Sequence, residues 1–204
     1  MSKLDFWIRR IHSLLGVVGL GAFLMEHIFT ISRVLGGPAS FNHGVEMLSS
    51  IPFLVPIEVL FIGVPFALHG IIGVVYALKA KNNVAQYGYW NNWMFYLQRI
   101  TAYIVFLFVI YHVWTLRIVG KAMSGHAMDY NFMHNLLVDP VMMGMYAISL
   151  LATIFHFTNG LWGFAVTWGI VVGPRGQKVV SLATIALFVI LSSVGMTALT
   201  QFVK

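Results

Sequence analysis

Five apolar runs, at roughly residues 11–32, 57–78, 99–119, 142–168 and 181–202, take up more than half of this 204-residue chain. Each reaches the ~20 residues that an α-helix needs to cross the hydrocarbon core of a bilayer. A backbone in lipid must satisfy its own polar groups, so each run is expected to be a helix. The expected fold class is therefore all-α: an integral membrane bundle of five transmembrane helices, forming a single domain over residues 1–204. Composition agrees, with 59% hydrophobic and only 9% charged residues. The intervening stretches are too short to bury a second core.

Basic residues orient such a bundle, because Lys- and Arg-rich loops stay cytoplasmic. Lys3, Arg9, Arg10, Lys79, Lys81, Arg99, Arg175 and Lys178 fall on one side, and Arg33, Arg117, Lys121 and Lys204 on the other. The amino terminus is expected in the cytoplasm and the carboxyl terminus outside. The formal charge of +6 is assigned to topology and to anionic membrane lipid, and no nucleic-acid partner is expected. Arg9 and Arg10 precede the first run as they would in an export signal, but that run is too long and lacks a small-residue cleavage site, so it is expected to be a retained helix. The chain has no cysteine, which excludes disulfides, thiolate metal sites and covalent haem attachment through C-x-x-C-H.

Four of the eight histidines lie inside apolar runs, one in each of the first four: His27, His69, His112 and His156. Ionisable groups inside a membrane are costly and mark pathways or ligands. Counting outward to the first charged residue puts His27 six residues from Arg33 and His112 five from Arg117, about 8–9 Å. His69 is eleven residues from Glu58 and His156 seventeen from Asp139, roughly 16–25 Å. The expected pairs are His27 with His112 and His69 with His156. Two imidazoles at one depth suit the two axial positions of an electron-transfer haem. A zinc or copper site would want three or four converging ligands.

A porphyrin is wide and favours small residues beside its ligands. On a helical wheel Gly16 lies about 20° from His27, Gly73 about 40° from His69, and Gly160 and Gly163 about 40° and 20° from His156. These glycines are candidate cofactor-facing positions, although small residues also serve plain helix packing. His12 lies about 60° from the His27 face; it is expected at the interface, with contact to a haem propionate as the alternative. His43, His126 and His134 are expected in solvated outer loops. Trp7, Trp90, Trp93, Trp114 and Trp168 fit an aromatic belt.

Longer blocks carry a resemblance. "RRIHSLLG" (9–16), "LKAKNNVAQYGYWNNWMFYLQRIT" (78–101), "ATIFHFTNGLWGFAVTWGI" (152–170) and "GPRGQK" (173–178) resemble the membrane-anchor cytochrome b subunits of succinate dehydrogenases (succinate:menaquinone oxidoreductases) of the Gram-positive, single-anchor, dihaem type. The resemblance covers nearly the whole chain. It implies two haem b groups held by bis-histidine ligation, with His69 and His156 at an inner, higher-potential haem and His27 and His112 at an outer, lower-potential one. It implies an iron–sulfur subunit and a flavoprotein subunit as cytoplasmic partners, and menaquinone as electron acceptor near the outer face. Glu58, just inside the outer end of the second run, is the candidate proton-handling residue there, with an ion pair to Arg33 or Arg117 as its structural alternative. Related fumarate reductases carry a glutamate two residues before the fourth-helix histidine; here that place is Ile154, so that proton route is not expected. A dihaem anchor of another quinone-linked oxidoreductase, or a histidine-based proton or metal transporter, satisfies the histidine pattern without matching the sequence blocks.

Overall fold

A computed structural model describes residues 2–125 and 128–204; His126 lies outside the described residues. Five long helices run through it: α1 Lys3–Gly36, α3 Leu54–Lys79, α4 Trp90–Met123, α6 Pro140–Thr167 and α7 Gly173–Gln201, each long and apolar enough to cross a membrane. Two short helices, α2 Pro38–Ser49 and α5 Tyr130–Leu137, lie in the connections at one end. No strand occurs among the described residues.

The long helices overrun the apolar runs, most of all α4, which starts at Trp90, and α1, which starts at Lys3. Hydrophobicity marks the thickness of the hydrocarbon, whereas the helix continues until a cap ends its hydrogen bonding. Ser2 caps α1, its hydroxyl accepting the Asp5 N–H at 3.1 Å. Asp139 caps α6, accepting the N–H groups of Val141 and Met142 at 2.7 and 3.1 Å, with Pro140 in the first turn. The turn from α6 to α7 uses Gly169 and Gly173 at φ of 69° and 78°, a region that side chains with a Cβ seldom occupy.

Three helices change pitch. Leu15–Leu20 in α1, Val59–Gly63 in α3 and Val113–Met123 in α4 are π-helical, a widened turn that alters the faces of the residues on either side.

The α6 helix is the hub: it packs most extensively on α4 and α7, and it also meets the π segment of α1. The α1 helix touches α3 and α7 as well. The α7 helix rests chiefly on α1 and α6, outside the group formed by α1, α3, α4 and α6. Ile28, Ile154 and Leu191 form the buried seam between α1, α6 and α7. Lipid tails are as apolar as these side chains, so close fit and polar contacts hold the helices together. A Cβ on Gly195 would stand 3.0 Å from Leu150, and one on Gly21 would stand 2.5 Å from Phe157.

At the end carrying α2 and α5, Val34, Phe41, Leu137, Tyr146 and Phe202 form a second buried cluster. His43 and His134 sit on these two helices rather than in open loops. His134 is partly buried, and its Nδ1–H donates to the Phe202 carbonyl at 2.6 Å, an acceptor just past the end of α7 that the Tyr130 hydroxyl also reaches at 3.4 Å. The expected solvated loop missed these helices because neither is long enough to show up against the membrane runs around it.

Candidate functional site

The four intramembrane histidines meet across the bundle in two pairs. His27 of α1 and His112 of α4 have ring centroids 6.0 Å apart with planes at 81°. His69 of α3 and His156 of α6 have centroids 6.2 Å apart with planes at 85°. The pairs are those that the outward depth count groups together. Ten residues of α6, about 15 Å, separate His156 from Tyr146, the residue that contacts His112. The two levels are thus well apart along one helix.

Three of the four rings have their Nδ1 engaged. His69 Nδ1 is 2.8 Å from the His12 carbonyl oxygen and His156 Nδ1 is 3.1 Å from that of Gln98. A carbonyl only accepts, so in both cases the imidazole donates. This selects the tautomer with the proton on Nδ1 and leaves the Nε2 lone pair free, the usual arrangement for a metal-ligating histidine. His112 Nδ1 lies 3.3 Å from the Tyr146 hydroxyl. His27 instead packs against Phe23, their rings stacked with centroids 5.4 Å apart.

Gln98 and Asn159 complete the level of His69 and His156, and sequence reasoning did not single them out. Gln98 Nε2 donates to the His156 carbonyl at 3.0 Å, returning the bond that its own carbonyl accepts. Asn159 Nδ2 donates to Gln98 Oε1 at 2.8 Å and to the Met94 carbonyl at 3.3 Å. Interhelical bonds of this kind contribute about 0.6–2 kcal/mol each in a bilayer, so the reciprocal set holds α4 to α6 next to His156. Uncharged polar residues in the runs "YLQRI" and "FTNG" were the signal available, read by the same rule that exposed the histidines.

The glycines divide. A Cβ on Gly16 would stand 2.4 Å from His69 Cε1, and one on Gly73 would stand 3.1 Å from His12 Cε1. Gly16 therefore makes room for the His69 ring and not for the His27 face on which the helical wheel put it; His27 lies about 16 Å further along the helix, beyond a π segment that shifts that wheel. Gly160 brings α6 close to Gln98, at 3.5 Å, whereas a Cβ on Gly163 would meet nothing within 4 Å. His12 belongs to this level too. Its ring stacks on His69 with centroids 4.1 Å apart and planes at 9°. Its Nδ1 is buried without a hydrogen-bond partner, which calls for one outside the protein.

Glu58, in the second turn of α3, is held by Arg117 of α4. Both Nε, at 2.9 Å, and one terminal guanidinium nitrogen donate to Oε2. The ion pair with Arg117 expected as the alternative is present, and among the described residues no donor reaches Oε1.

These donors fit two iron porphyrins. Imidazole nitrogens bind first-row metals at about 2.0–2.1 Å, so two imidazoles that would hold one iron between them would have nitrogens about 4 Å apart and ring centroids about 2 Å further apart than that. The two pairs stand at 6.0 and 6.2 Å. Planes that both contain the axis through the metal can take any angle about it, so near-perpendicular rings are compatible.

Comparison with known proteins agrees with this architecture. Residues 77–195 match the family model described as succinate dehydrogenase/fumarate reductase transmembrane subunit. The succinate dehydrogenase cytochrome b558 subunit of Bacillus subtilis (strain 168) is 44% identical over 199 residues, covering 98% of each chain. With five membrane-crossing helices and a match along almost its whole length, the chain belongs to the family of succinate dehydrogenase/fumarate reductase transmembrane subunits and is a multi-pass integral membrane protein.

Proposed function

We propose that this subunit carries electrons from a cytoplasmic iron–sulfur subunit, fed by a flavoprotein subunit, through two bis-histidine haem b groups to menaquinone near the outer face. The observation that carries the reading is the two histidine pairs, each spaced as axial ligands and stacked at two levels of one bundle. Haem iron supplies one-electron redox chemistry, tuned by its axial ligands and burial. The chain's own part is to hold and orient. His69 and His156 would present Nε2 at the inner level, fixed by carbonyls of neighbouring helices; His27, packed on Phe23, and His112, beside the Tyr146 hydroxyl, would serve the outer level. Two protein ligands on each iron leave no coordination position for a substrate, which suits electron transfer. His12 is placed to donate its buried Nδ1–H to a propionate of the inner haem. The amino terminus faces the cytoplasm, and Lys79, Lys81, Arg9, Arg10 and Arg99 receive the acidic surface of the partner and the propionates.

The direct test is stoichiometry. Purified protein from haem-replete cells is expected to hold two haems per chain by pyridine haemochrome assay, all extractable with acid acetone. A content near zero overturns the reading.

Gly16 offers a test at a distance from the ligands. Alanine there drives a Cβ into the His69 ring, and that ring cannot swing aside without giving up its bond to the His12 carbonyl. Gly16→Ala is expected to shift or remove the inner spectral component and to leave the outer one intact, as read by redox-resolved difference spectra. An unchanged inner component would mean that His69 is not held as a ligand.

Partner docking is tested by neutralising Lys79 and Lys81 together. Succinate dehydrogenase activity is then expected to wash off membranes at a lower salt concentration than from wild type, because screening competes with the remaining surface charges. Identical retention would assign these lysines to topology alone.

A further inference from the structure

On the amino-terminal side of the bundle a groove runs between α4 and α7 with α6 as its floor. It exists because α4 and α7 both pack on α6 but scarcely on each other. Two connected hollows of about 290 and 450 Å³ make it up, sharing Trp90, Asn91, Trp162, Ser181 and Ile185. Its α7 wall runs from Pro174 to Val189, about 22 Å of helix. That is half of a bilayer measured with its headgroups, roughly 20–22 Å, so the groove is one leaflet long.

Its two ends differ chemically. The deep end is walled by Phe155, Ile185, Phe188 and Val189, together with Thr158, Asn159 and Thr184, whose side chains already donate to Ile154, Gln98 and Ser181. The shallow end carries Lys178, Asn91, Ser181 and Trp90. The side chains of these four make no hydrogen bond or ion pair with any described residue, and no Asp or Glu lines either hollow. Trp162, by contrast, is committed, donating Nε1–H to the Gln177 carbonyl at 3.2 Å and tying α6 to α7.

We propose that this groove binds one anionic phospholipid, its phosphate held by Lys178, Ser181, Asn91 and Trp90 and one acyl chain lying along Ile185 and Phe188. Charge complementarity selects the occupant: one fixed cation, three neutral donors and no acidic group match a phosphodiester anion. A neutral quinone ring would leave the ammonium uncompensated. The length match selects an amphiphile that spans one leaflet, not a soluble anion.

The test uses the complete complex, stripped of lipid in detergent and re-supplied with phosphatidylglycerol or phosphatidylcholine, with bound lipid read by native mass spectrometry. Wild type is expected to keep one phosphatidylglycerol in preference to phosphatidylcholine. Lys178→Glu with Ser181→Leu is expected to lower that occupancy by about tenfold or more, and Ile185→Trp to lower it by filling the tail channel. Lys121→Glu, at the opposite end, is expected to change nothing. Haem spectra report folding of each variant independently of lipid. Equal retention of the two lipids, release of quinone in place of phospholipid, or a photocrosslink from position 182 running to a partner subunit and not to lipid would each overturn the assignment.

Discussion

His69→Leu and His156→Leu are each expected to abolish the same spectral component, and His27→Leu and His112→Leu the other, leaving one haem per chain in all four proteins. Leucine supplies no lone pair, so one axial position is lost and retention weakens. The substitutions differ in their side effects. His69→Leu also removes one donor from the His12 carbonyl, and His156→Leu one from the Gln98 carbonyl; the Leu15 N–H and the Thr101 hydroxyl still donate to these oxygens, so each substitution gives up one net hydrogen bond, about 0.5–1.5 kcal/mol. Loss of His69 or His156 is therefore expected to lower membrane yield somewhat more than His27→Leu, whose ring packs against the rings of Phe23 and His112. Redox-resolved spectra of the four proteins decide the matter. If His27→Leu and His69→Leu remove one and the same component, the two-level assignment fails.

Glu58→Gln is expected to lower succinate:menaquinone activity by about 100-fold, the lower end of what a positioned proton-transfer group contributes. Succinate oxidation with an artificial acceptor and both haem spectra are expected to stay at wild-type levels. Quinone reduction takes up two protons with its two electrons, and no donor among the described residues reaches Oε1 of Glu58 while Arg117 holds Oε2. Glutamine keeps the shape and an acceptor for Arg117 but cannot pass a proton. The ion pair itself is partly exposed on both sides, with side-chain exposures of 30% and 32%, and pairs of that kind contribute about 0–1 kcal/mol, so instability does not account for a large loss. Full quinone reductase activity in Glu58→Gln would leave the residue as a helix-end ion pair. A quinone-site inhibitor that perturbs only the inner haem would move the site to the cytoplasmic side.

Membrane physics made much of this molecule legible before any coordinates. Bilayer thickness converts apolar run length into helix number, so five spans follow from composition along the chain. The cost of burying imidazole makes His27, His69, His112 and His156 stand out, and a one-dimensional depth count groups them into the pairs that come together in space. Depth works here because every helix is measured against the same slab of lipid. The short helices α2 and α5 were hidden because that ruler does not extend beyond the membrane, and their stability comes from contact with the end of α7.

What tertiary structure alone decided is the set of partners at each level. A wheel places Gly16 beneath His27 on the same helix, but only the approach of α3 shows that its missing side chain makes room for His69. His12 is an interfacial residue by position and an inner-level residue by contact, because α1 and α3 cross where the rings of His12 and His69 stack. The choice between Arg33 and Arg117 for Glu58 was open in the sequence and went to Arg117, which stands on α4 within reach of Oε2. Arg33 was drawn instead to the Ser40 carbonyl of α2. Sequence fixes depth because the bilayer is a planar field acting on each residue alone; lateral neighbours depend on rotation and crossing of pairs of helices, which no single run encodes.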